Sequence, residues 1–361
     1  MDFSHHIIIS LLFLFAFATK PSTVQAGFKC TQSDRTTCTS LIGYKSPNQT
    51  TIFHLSNFFG VHDINSLLGA NDLPLSTPSN YTVNAQQVIN IPIPCRCANG
   101  TGISNNIPRY RVQKDDTLFY IASDVFGGLV KFPEIQQVNQ IPNANLIVTG
   151  ERLWIPLPCS CDDVEEQRVV HYGHVVEAMS TMEGIAKQFG TTSDVLFKLN
   201  DISDDSKLIA GNAIDIPLTA CNSSVSNSSL DYPLLVSNGT YVFTANGCMR
   251  CSCDSAKDWT LQCQPSGLRP ANNTWQTCPS MLCEGLDILS VGNTTAVGCN
   301  QTTCDYSGFS NQSILTTLAT VNTCPASNPG PDENKSSMIG QRWKFLFISL
   351  HLIMLCLHLL W

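Results

Sequence analysis

Apolar residues recur at helical spacing directly after three threonines of the chain. After Thr117 they occupy positions 118, 121, 122, 125 and 126, and Gly127 follows them. A threonine hydroxyl caps the start of a helix, and glycine adopts the left-handed conformation that ends one. The pattern therefore predicts an amphipathic helix of about three turns in this stretch.

The same pattern is found three times. The helices open at Thr51, Thr117 and Thr181 and stop at Gly60, Gly127 and Gly190. The stretch after each helix ends at Asn71, Asn139 and Asn200. The interval from threonine to glycine is 9, 10 and 9 residues, and the interval from glycine to asparagine is 11, 12 and 10 residues. Each copy ends in an apolar run, VINIPIPCRC, RLWIPLPCSC or AIDIPLTAC. We therefore predict an α+β protein with three strand-helix-helix-strand copies.

The predicted boundaries divide the chain into segments that are named here and kept below. The first segment is 27–108, which includes an N-terminal cysteine segment, the second segment is 109–161 and the third segment is 162–221. Units of about fifty residues bury only a small core, so we expect disulfides at their boundaries to support them.

The cysteines divide into two blocks of even number. Of the 17 cysteines, six lie between Cys30 and Cys161 and ten between Cys221 and Cys324, while Cys356 lies in an apolar tail. If that tail is removed, each block can pair completely, as expected in a secreted chain. Neighbours in Cys-x-Cys are badly placed to bond each other, so their partners should come from elsewhere.

The three copies resemble lysin motifs (LysM). The Thr-Leu…Ile-Ala…Phe-Gly…Asn pattern is clearest in the second and third segments, and the array punctuated by Cys-x-Cys is similar to the ectodomains of plant LysM receptors. The first segment departs most, with His54 and Ser56 inside its helix. The resemblance implies three tandem LysM (βααβ) repeats clamped by disulfides, followed by a Cys-rich region of loops and β-strands.

The resemblance also implies a disulfide pairing for the first block: Cys30 with Cys97, Cys38 with Cys161, and Cys95 with Cys159. A zinc site formed by the two Cys-x-Cys pairs is the competing interpretation of the same residues. Bridges of this kind would each close a long loop and contribute a few kcal/mol.

The Cys-rich region is predicted at 222–324, where Ser, Asn, Thr and Cys predominate. Asn-x-Ser/Thr sequons, which permit N-glycosylation on a secreted surface, crowd this half of the chain. The candidate acceptors are Asn48, Asn80, Asn99, Asn222, Asn227, Asn238, Asn272, Asn293, Asn300 and Asn311.

Both ends of the chain predict processing in the secretory pathway. Residues 1–26 hold an apolar run of signal-peptide length before small residues. Residues 325–337 are a linker and 338–361 a spacer followed by an apolar tail, which is the order of a GPI-anchor signal. The candidate anchor residues are Asn334, Ser336 and Ser337. A membrane-spanning tail is the alternative, and the plasma membrane, on its extracellular face, is the expected location.

A net charge of −8 with only 13% charged residues argues against nucleic acid as a partner, because polyanions require clustered Lys and Arg. LysM resemblance implies glycans of N-acetylglucosamine: chitin fragments, related lipo-oligosaccharides or peptidoglycan. It places the sugar in a shallow groove between the loop after the first strand and the loop before the last. In the second segment the candidate residues are Gln113, Asp115, Asp116, Thr117, Pro142, Asn143, Asn145, Leu146 and Ile147.

Each candidate also has a purely structural interpretation. Thr117 can be only a helix cap, Asp116 can simply favour the positive end of a helix, and Leu146 can belong to the core. His171 and His174 are too isolated to suggest a metal site and are expected at the surface.

The resemblance implies a defence receptor that signals through a partner, because no kinase signature follows the repeats. The expected partners are a transmembrane LysM receptor kinase and, when a long oligomer bridges two molecules, a second copy of the chain. A wall hydrolase is the second interpretation, but it needs two carboxylates across a cleft, whereas Asp115 and Asp116 are neighbours on one loop. A wall-attached adhesive glycoprotein is the third interpretation. No cofactor is expected.

Overall fold

A computed structural model of the protein describes residues 28–31, 37–98, 100–271 and 275–324. The predicted signal peptide, the anchor residues Asn334, Ser336 and Ser337, and the sequons at Asn99 and Asn272 lie outside these residues. The chain divides into a large unit, to 295 and again at 302–319, and a small unit that includes 296–301 and 320–324. The described part is a mixed α+β structure with many disulfides.

Each of the three segments contains two helices between two strands. The first segment has β1 (Thr37–Lys45), β2 (Thr50–Thr51), α1 (Ile52–Phe59), α2 (Ile64–Ala70), β3 (Thr82–Val83), β4 (Val88–Ala98) and β5 (Thr101–Ser104). The second has β6 (Arg109–Arg111), α3 (Leu118–Tyr120), a π-helix (Ile121–Val125), α4 (Phe132–Val138) and β7 (Arg152–Trp154). The third has β8 (Val169–Val175), α5 (Met182–Phe189), α6 (Ser193–Leu199), a 3₁₀ turn (Asp205–Lys207) and β9 (Ala213–Thr219).

The three threonines cap their helices as the pattern predicts. Each hydroxyl accepts the backbone N–H three residues further on, so one otherwise unpaired donor of the helix start is satisfied. The pairs are Thr51 with His54 at 3.2 Å, Thr117 with Tyr120 at 3.1 Å, and Thr181 with Gly184 at 3.1 Å. Gly60 and Gly190 end their helices at φ values of 69° and 71°.

The helix of the second segment differs from the prediction of three α-helical turns. α3 makes a single turn and then widens into the π-helix, where the Phe126 N–H donates to the Ile121 carbonyl at 3.0 Å. Leu118, Ile121 and Phe126 are nevertheless buried, as their spacing predicts. A period of 3.6 residues does not reveal one extra residue in the final turn.

The first and third segments share one sheet, which the sequence pattern did not predict. The strand order is β5-β4-β1-β8-β9, and the central pair β1 and β8 is parallel, with Leu41 opposite Tyr172. Among the described residues, the strands of the second segment pair with each other and with no other strand, and Tyr110 lies opposite Leu153. The second segment is therefore inserted in the chain between two halves of one sheet.

Two hydrophobic cores support these segments. The first combines residues of the first and second segments, including Phe59 and Phe126, which are fully buried. The second combines the third segment with Leu41 and Ala70 of the first. No segment has to be stable with its own core alone, which agrees with the small size of each.

Three disulfides tie the N-terminal block together. They are Cys30–Cys97, Cys38–Cys161 and Cys95–Cys159, the pairs that the resemblance implies. The last two join the first segment to the end of the second. The four cysteines of the Cys-x-Cys pairs therefore have no free thiolate to offer a metal.

The Cys-rich region is built from short strands. They are β10 (Thr240–Thr244), β11 (Met249–Cys253), β12 (Gln262–Pro265), β13 (Leu282–Cys283), β14 (Leu286–Ser290), β15 (Thr294–Val297), β16 (Asn300–Phe309) and β17 (Ile314–Asn322). Five disulfides pair all ten of its cysteines: Cys221–Cys253, Cys248–Cys278, Cys251–Cys263, Cys283–Cys304 and Cys299–Cys324.

β10 of this region packs on α2 of the first segment. The Tyr241 hydroxyl donates to the Leu73 carbonyl at 2.5 Å. A Cβ added to Gly69 would lie 2.1 Å from the Tyr241 carbonyl oxygen, so only glycine permits this approach. Within the large unit, β10 is thus docked on the first segment.

Candidate functional site

The asparagine that ends the second helix of each segment joins that helix to the last strand. In the second segment, Asn139 Nδ2 donates to the carbonyls of Ile135 at 2.8 Å and Trp154 at 2.7 Å, and its Oδ1 accepts the Trp154 N–H at 2.9 Å. Asn71 makes the same bonds with Leu67 and Asn90, and Asn200 makes them with Leu196 and Asp215. The asparagine spacing of the sequence therefore reports a shared three-dimensional joint.

Two loops lie side by side at one end of each segment. In the second segment they are residues 112–117, called the first loop, and residues 140–151, called the second loop. The Gly150 N–H donates to the Val112 carbonyl, and the Val112 N–H donates to the Glu151 carbonyl, at 2.8 and 2.9 Å. The equivalent backbone bond runs from the Gln86 N–H to the Ser46 carbonyl in the first segment and from the Gly211 N–H to the Val176 carbonyl in the third, and both are 2.8 Å long.

The first loop is held by Asp116. Its Oδ2 accepts the Tyr110 hydroxyl at 2.9 Å and the Gln113 N–H at 2.6 Å, and Gln113 Nε2 donates to the Arg111 carbonyl at 2.7 Å. Asp115 is exposed and has a left-handed backbone with φ of 69°. Of the four candidates on this loop, Gln113, Asp115 and Thr117 are exposed, while Asp116 is half-buried and hydrogen-bonded within the loop.

The second loop presents an apolar rim beside polar backbone. Asn143 Oδ1 accepts the Asn145 N–H at 3.0 Å, and the Leu146 N–H donates to the Asn143 carbonyl at 2.9 Å. Leu146 is 68% exposed, whereas Ile147 is half-buried against the core. Leu146 is therefore not a core residue.

Two further positions complete this rim. Pro142 is exposed, and so is Val148, which is 67% exposed and was not among the predicted site residues. Val148 could have been found in the sequence as an apolar side chain two residues before the turn glycine Gly150.

The groove between the two loops is closed in the first segment. Its loop before the last strand forms the short ladder of β2 with β3. The N–H groups of Ile52 and Phe53, at the start of α1, donate to the carbonyls of Tyr81 at 3.1 Å and Ser79 at 2.9 Å. Backbone of the same segment therefore occupies the place between the loops.

A side chain closes the groove of the third segment. Asp205 Oδ1 accepts the N–H of Met182, the first residue of α5, at 2.8 Å. In the second segment the loop has the same length, and the position of Asp205 is taken by Ala144, whose methyl side chain offers no acceptor. Within residues 100–271, no hydrogen bond connects the first turn of α3 to the second loop. The start of α3 in the second segment is thus not tied to its second loop, and we call the space between its two loops the open groove.

A buried ion pair lies in the third segment, so the surface position expected for His171 is wrong. His171 is 2% exposed, its Nδ1 lies 2.8 Å from Asp215 Oδ2, and its Nε2 lies 2.7 Å from the Asp162 carbonyl oxygen. Burial alone lowers the pKa of His171, but the Asp215 carboxylate and the Asp162 carbonyl raise it above the ordinary histidine value. His174 is also not a surface residue: it is half-buried, and burial lowers its pKa.

The described sequon asparagines are all exposed. They are Asn48, Asn80, Asn222, Asn227, Asn238, Asn293, Asn300 and Asn311. Asn48 and Asn80 lie on the two loops that border the closed groove of the first segment.

Comparison with known proteins places these features in a family. A model of the LYK3/4/5 LysM2 domain matches residues 106–157, and a LysM domain model matches residues 174–217. LysM domain-containing GPI-anchored protein 2 of Arabidopsis thaliana is 45% identical over 98% of this chain and 97% of its own length. The chain belongs to the plant LysM domain-containing GPI-anchored proteins.

Two more relatives of this LysM protein differ in how much of the chain they share. The chitin elicitor-binding protein of Oryza sativa subsp. japonica is 40% identical over 91% of both chains. Chitin elicitor receptor kinase 1 of Arabidopsis thaliana is 25% identical over 53% of this chain and 30% of its own length. In the part of the chain that the structure describes, no helix is both long enough and apolar enough to span a membrane.

Proposed function

We propose that this LysM protein is a cell-surface receptor or co-receptor that binds glycans of N-acetylglucosamine in the groove of the second segment. The observation that carries the proposal is that this groove alone, among the three described, lacks a hydrogen bond between helix start and second loop. A relative named as a chitin elicitor-binding protein, similar over 91% of both chains, supports chitin oligosaccharides as the ligand class.

The three segments are three LysM repeats in this proposal. The family models match only the second and third, so the first rests on geometry: the same capping threonine, the same joint from Asn71 and the same tie from Gln86 to Ser46. We propose the repeats within 27–108, 109–161 and 162–221, with the Cys-rich region at 222–324.

The chemistry of the open groove suits a neutral amino sugar. The acetamide of each sugar needs a donor and an acceptor, which backbone groups of the two loops can supply. Its methyl needs an apolar surface, and Leu146 and Val148 offer one at the rim. Burying one methyl-sized group contributes only about 0.8 kcal/mol, so a single groove should bind weakly and gain from longer oligomers.

Attachment and signalling complete the proposal. We propose a GPI anchor near Asn334, Ser336 or Ser337, after removal of 1–26 and 338–361, which places the protein on the extracellular face of the plasma membrane. The relative named as a GPI-anchored protein, which is 45% identical over 98% of this chain, supports this proposal. The signal would pass to a LysM receptor kinase, and a long oligomer could bring two copies together by raising their effective concentration.

A calorimetric series of chitin oligomers, with peptidoglycan fragments in parallel, tests this function. Affinity should rise steeply with oligomer length, and Val148→Ser should lower it several-fold. Ile209→Ser is the matched control, because Ile209 occupies the same turn of the closed third groove and is 59% exposed. An equal loss of affinity in both variants would contradict binding in this groove. Equal affinity for dimers and octamers would contradict the bridging of two molecules.

A further inference from the structure

Tyr110 stands where the first and second segments meet. Its ring packs edge-on against Phe126 of its own segment and against Phe58 of α1, with ring centroids 6.0 and 6.3 Å apart. Phe58 in turn stacks on Phe126 at 5.1 Å. The first segment therefore holds the Tyr110 ring through an aromatic cluster, whose edge-to-face and offset contacts favour one orientation.

The hydroxyl of Tyr110 reaches the first loop of the open groove. It donates to Asp116 Oδ2 at 2.9 Å, and the same oxygen accepts the Gln113 N–H at 2.6 Å. Burial raises the pKa of Tyr110, and the neighbouring Asp116 raises it further. The phenol therefore keeps its proton and remains a donor throughout the physiological pH range.

Among the three segments as the structure describes them, this arrangement is found in the one with the open groove. Counted back from the capping threonine, the residues equivalent to Tyr110 are Tyr44 and His174. The residues equivalent to Asp116 are Thr50 and Ser180, which carry no carboxylate. The Tyr44 hydroxyl instead donates to the Val125 carbonyl in the π-helix at 3.0 Å.

We propose that Tyr110 is a positioning residue for the glycan groove, and that the first segment acts on the groove by holding Tyr110 through Phe58. Tyr110 does not contact the sugar; it fixes Asp116, which fixes the loop backbone from Gln113 onward. This inference rests on the proposed function of the second segment. It gives a role to the first segment, whose own groove is closed.

The test is Tyr110→Phe in the purified full chain, with Tyr44→Phe as the matched control. Both variants remove one tyrosine hydroxyl at the junction of the two segments and keep the ring, but only the first removes a bond to Asp116. A hydrogen bond to a charged acceptor supports a drop of about tenfold in affinity for a chitin octamer in Tyr110→Phe. Tyr44→Phe should bind as the unchanged protein does.

Hydrogen exchange supplies a readout that needs no ligand. Tyr110→Phe should speed exchange of the Gln113 amide while the melting temperature stays within the range of the Tyr44→Phe variant. Phe58→Leu should speed exchange of the same amide, because the ring of Tyr110 loses its edge-to-face contact with Phe58. A loss of affinity matched by Tyr44→Phe would overturn the proposal, since it would reflect the junction and not the loop.

The two proposals can fail separately. If the unchanged protein binds no glycan but Tyr110→Phe frees the Gln113 amide, the proposed ligand is wrong and the positioning of the loop stands. If the protein binds glycan and Tyr110→Phe changes neither affinity nor Gln113 exchange, the positioning role is wrong.

Discussion

Replacing Ala144 by Asp should close the groove of the second segment with the protein's own chemistry. Ala144 and Asp205 are each five residues after the joint asparagine, in second loops of equal length. In the third segment, Asp205 accepts the Met182 N–H at 2.8 Å. Leu118 is the residue equivalent to Met182, so Ala144→Asp places the same acceptor across the same gap.

The size of the effect follows from the bond that a ligand would have to displace. A hydrogen bond to a charged group contributes about 1.5–3 kcal/mol, and each 1.4 kcal/mol is about tenfold in affinity. Ala144→Asp should therefore weaken binding of a chitin octamer by about 10- to 150-fold. Ala144→Asn, with a neutral acceptor, should weaken it by less than about tenfold.

Titration calorimetry of the purified protein measures the loss, and hydrogen exchange of the Leu118 amide shows whether the new bond has formed. Asp205→Ala is the control, because it opens a different groove and should not reduce binding. A protected Leu118 amide together with unchanged affinity would refute the assignment of the ligand to this groove.

Three other outcomes are expected. Asn200→Ala should lower the free energy of unfolding by about 3 kcal/mol in chemical denaturation, because it removes three buried hydrogen bonds. An effect below about 1 kcal/mol would contradict the role of Asn200 in joining helix and strand. The pKa of His171 is raised in the folded protein, so its contribution to the free energy of unfolding is complete below about pH 6.5 and is lost as the pH rises through the folded pKa. The melting temperature of the unchanged protein should therefore exceed that of His171→Gln by less above neutral pH. Asn48→Gln combined with Asn80→Gln should leave octamer affinity unchanged in calorimetry, because these sequons border a closed groove.

The local elements could be predicted from the sequence because their signals are local. Thr51 and Thr181 cap helices, Gly60 and Gly190 end them, and Asn139 marks the end of a second helix. Each signal depends on hydrogen bonds that form within a few residues or on a backbone conformation that glycine favours.

What could not be predicted depends on residues far apart in the chain. The parallel pairing of Leu41 with Tyr172 joins strands from different segments, and no periodicity reports it. The burial of His171 depends on the distant Asp215. The closure of the groove in the third segment depends on one side chain, Asp205, and only its contact with the distant Met182 N–H reveals that role.

The shared sheet of the first and third segments limits how such proteins can change in evolution. In a solenoid each unit touches only its neighbours, so duplication or loss of one unit leaves the rest intact. Here β1 and β8 are partners across the whole second segment. Loss of the first or the third segment would leave the partner strand of this pair with an unpaired edge, so this architecture should diversify by exchanging loop residues and should retain both segments.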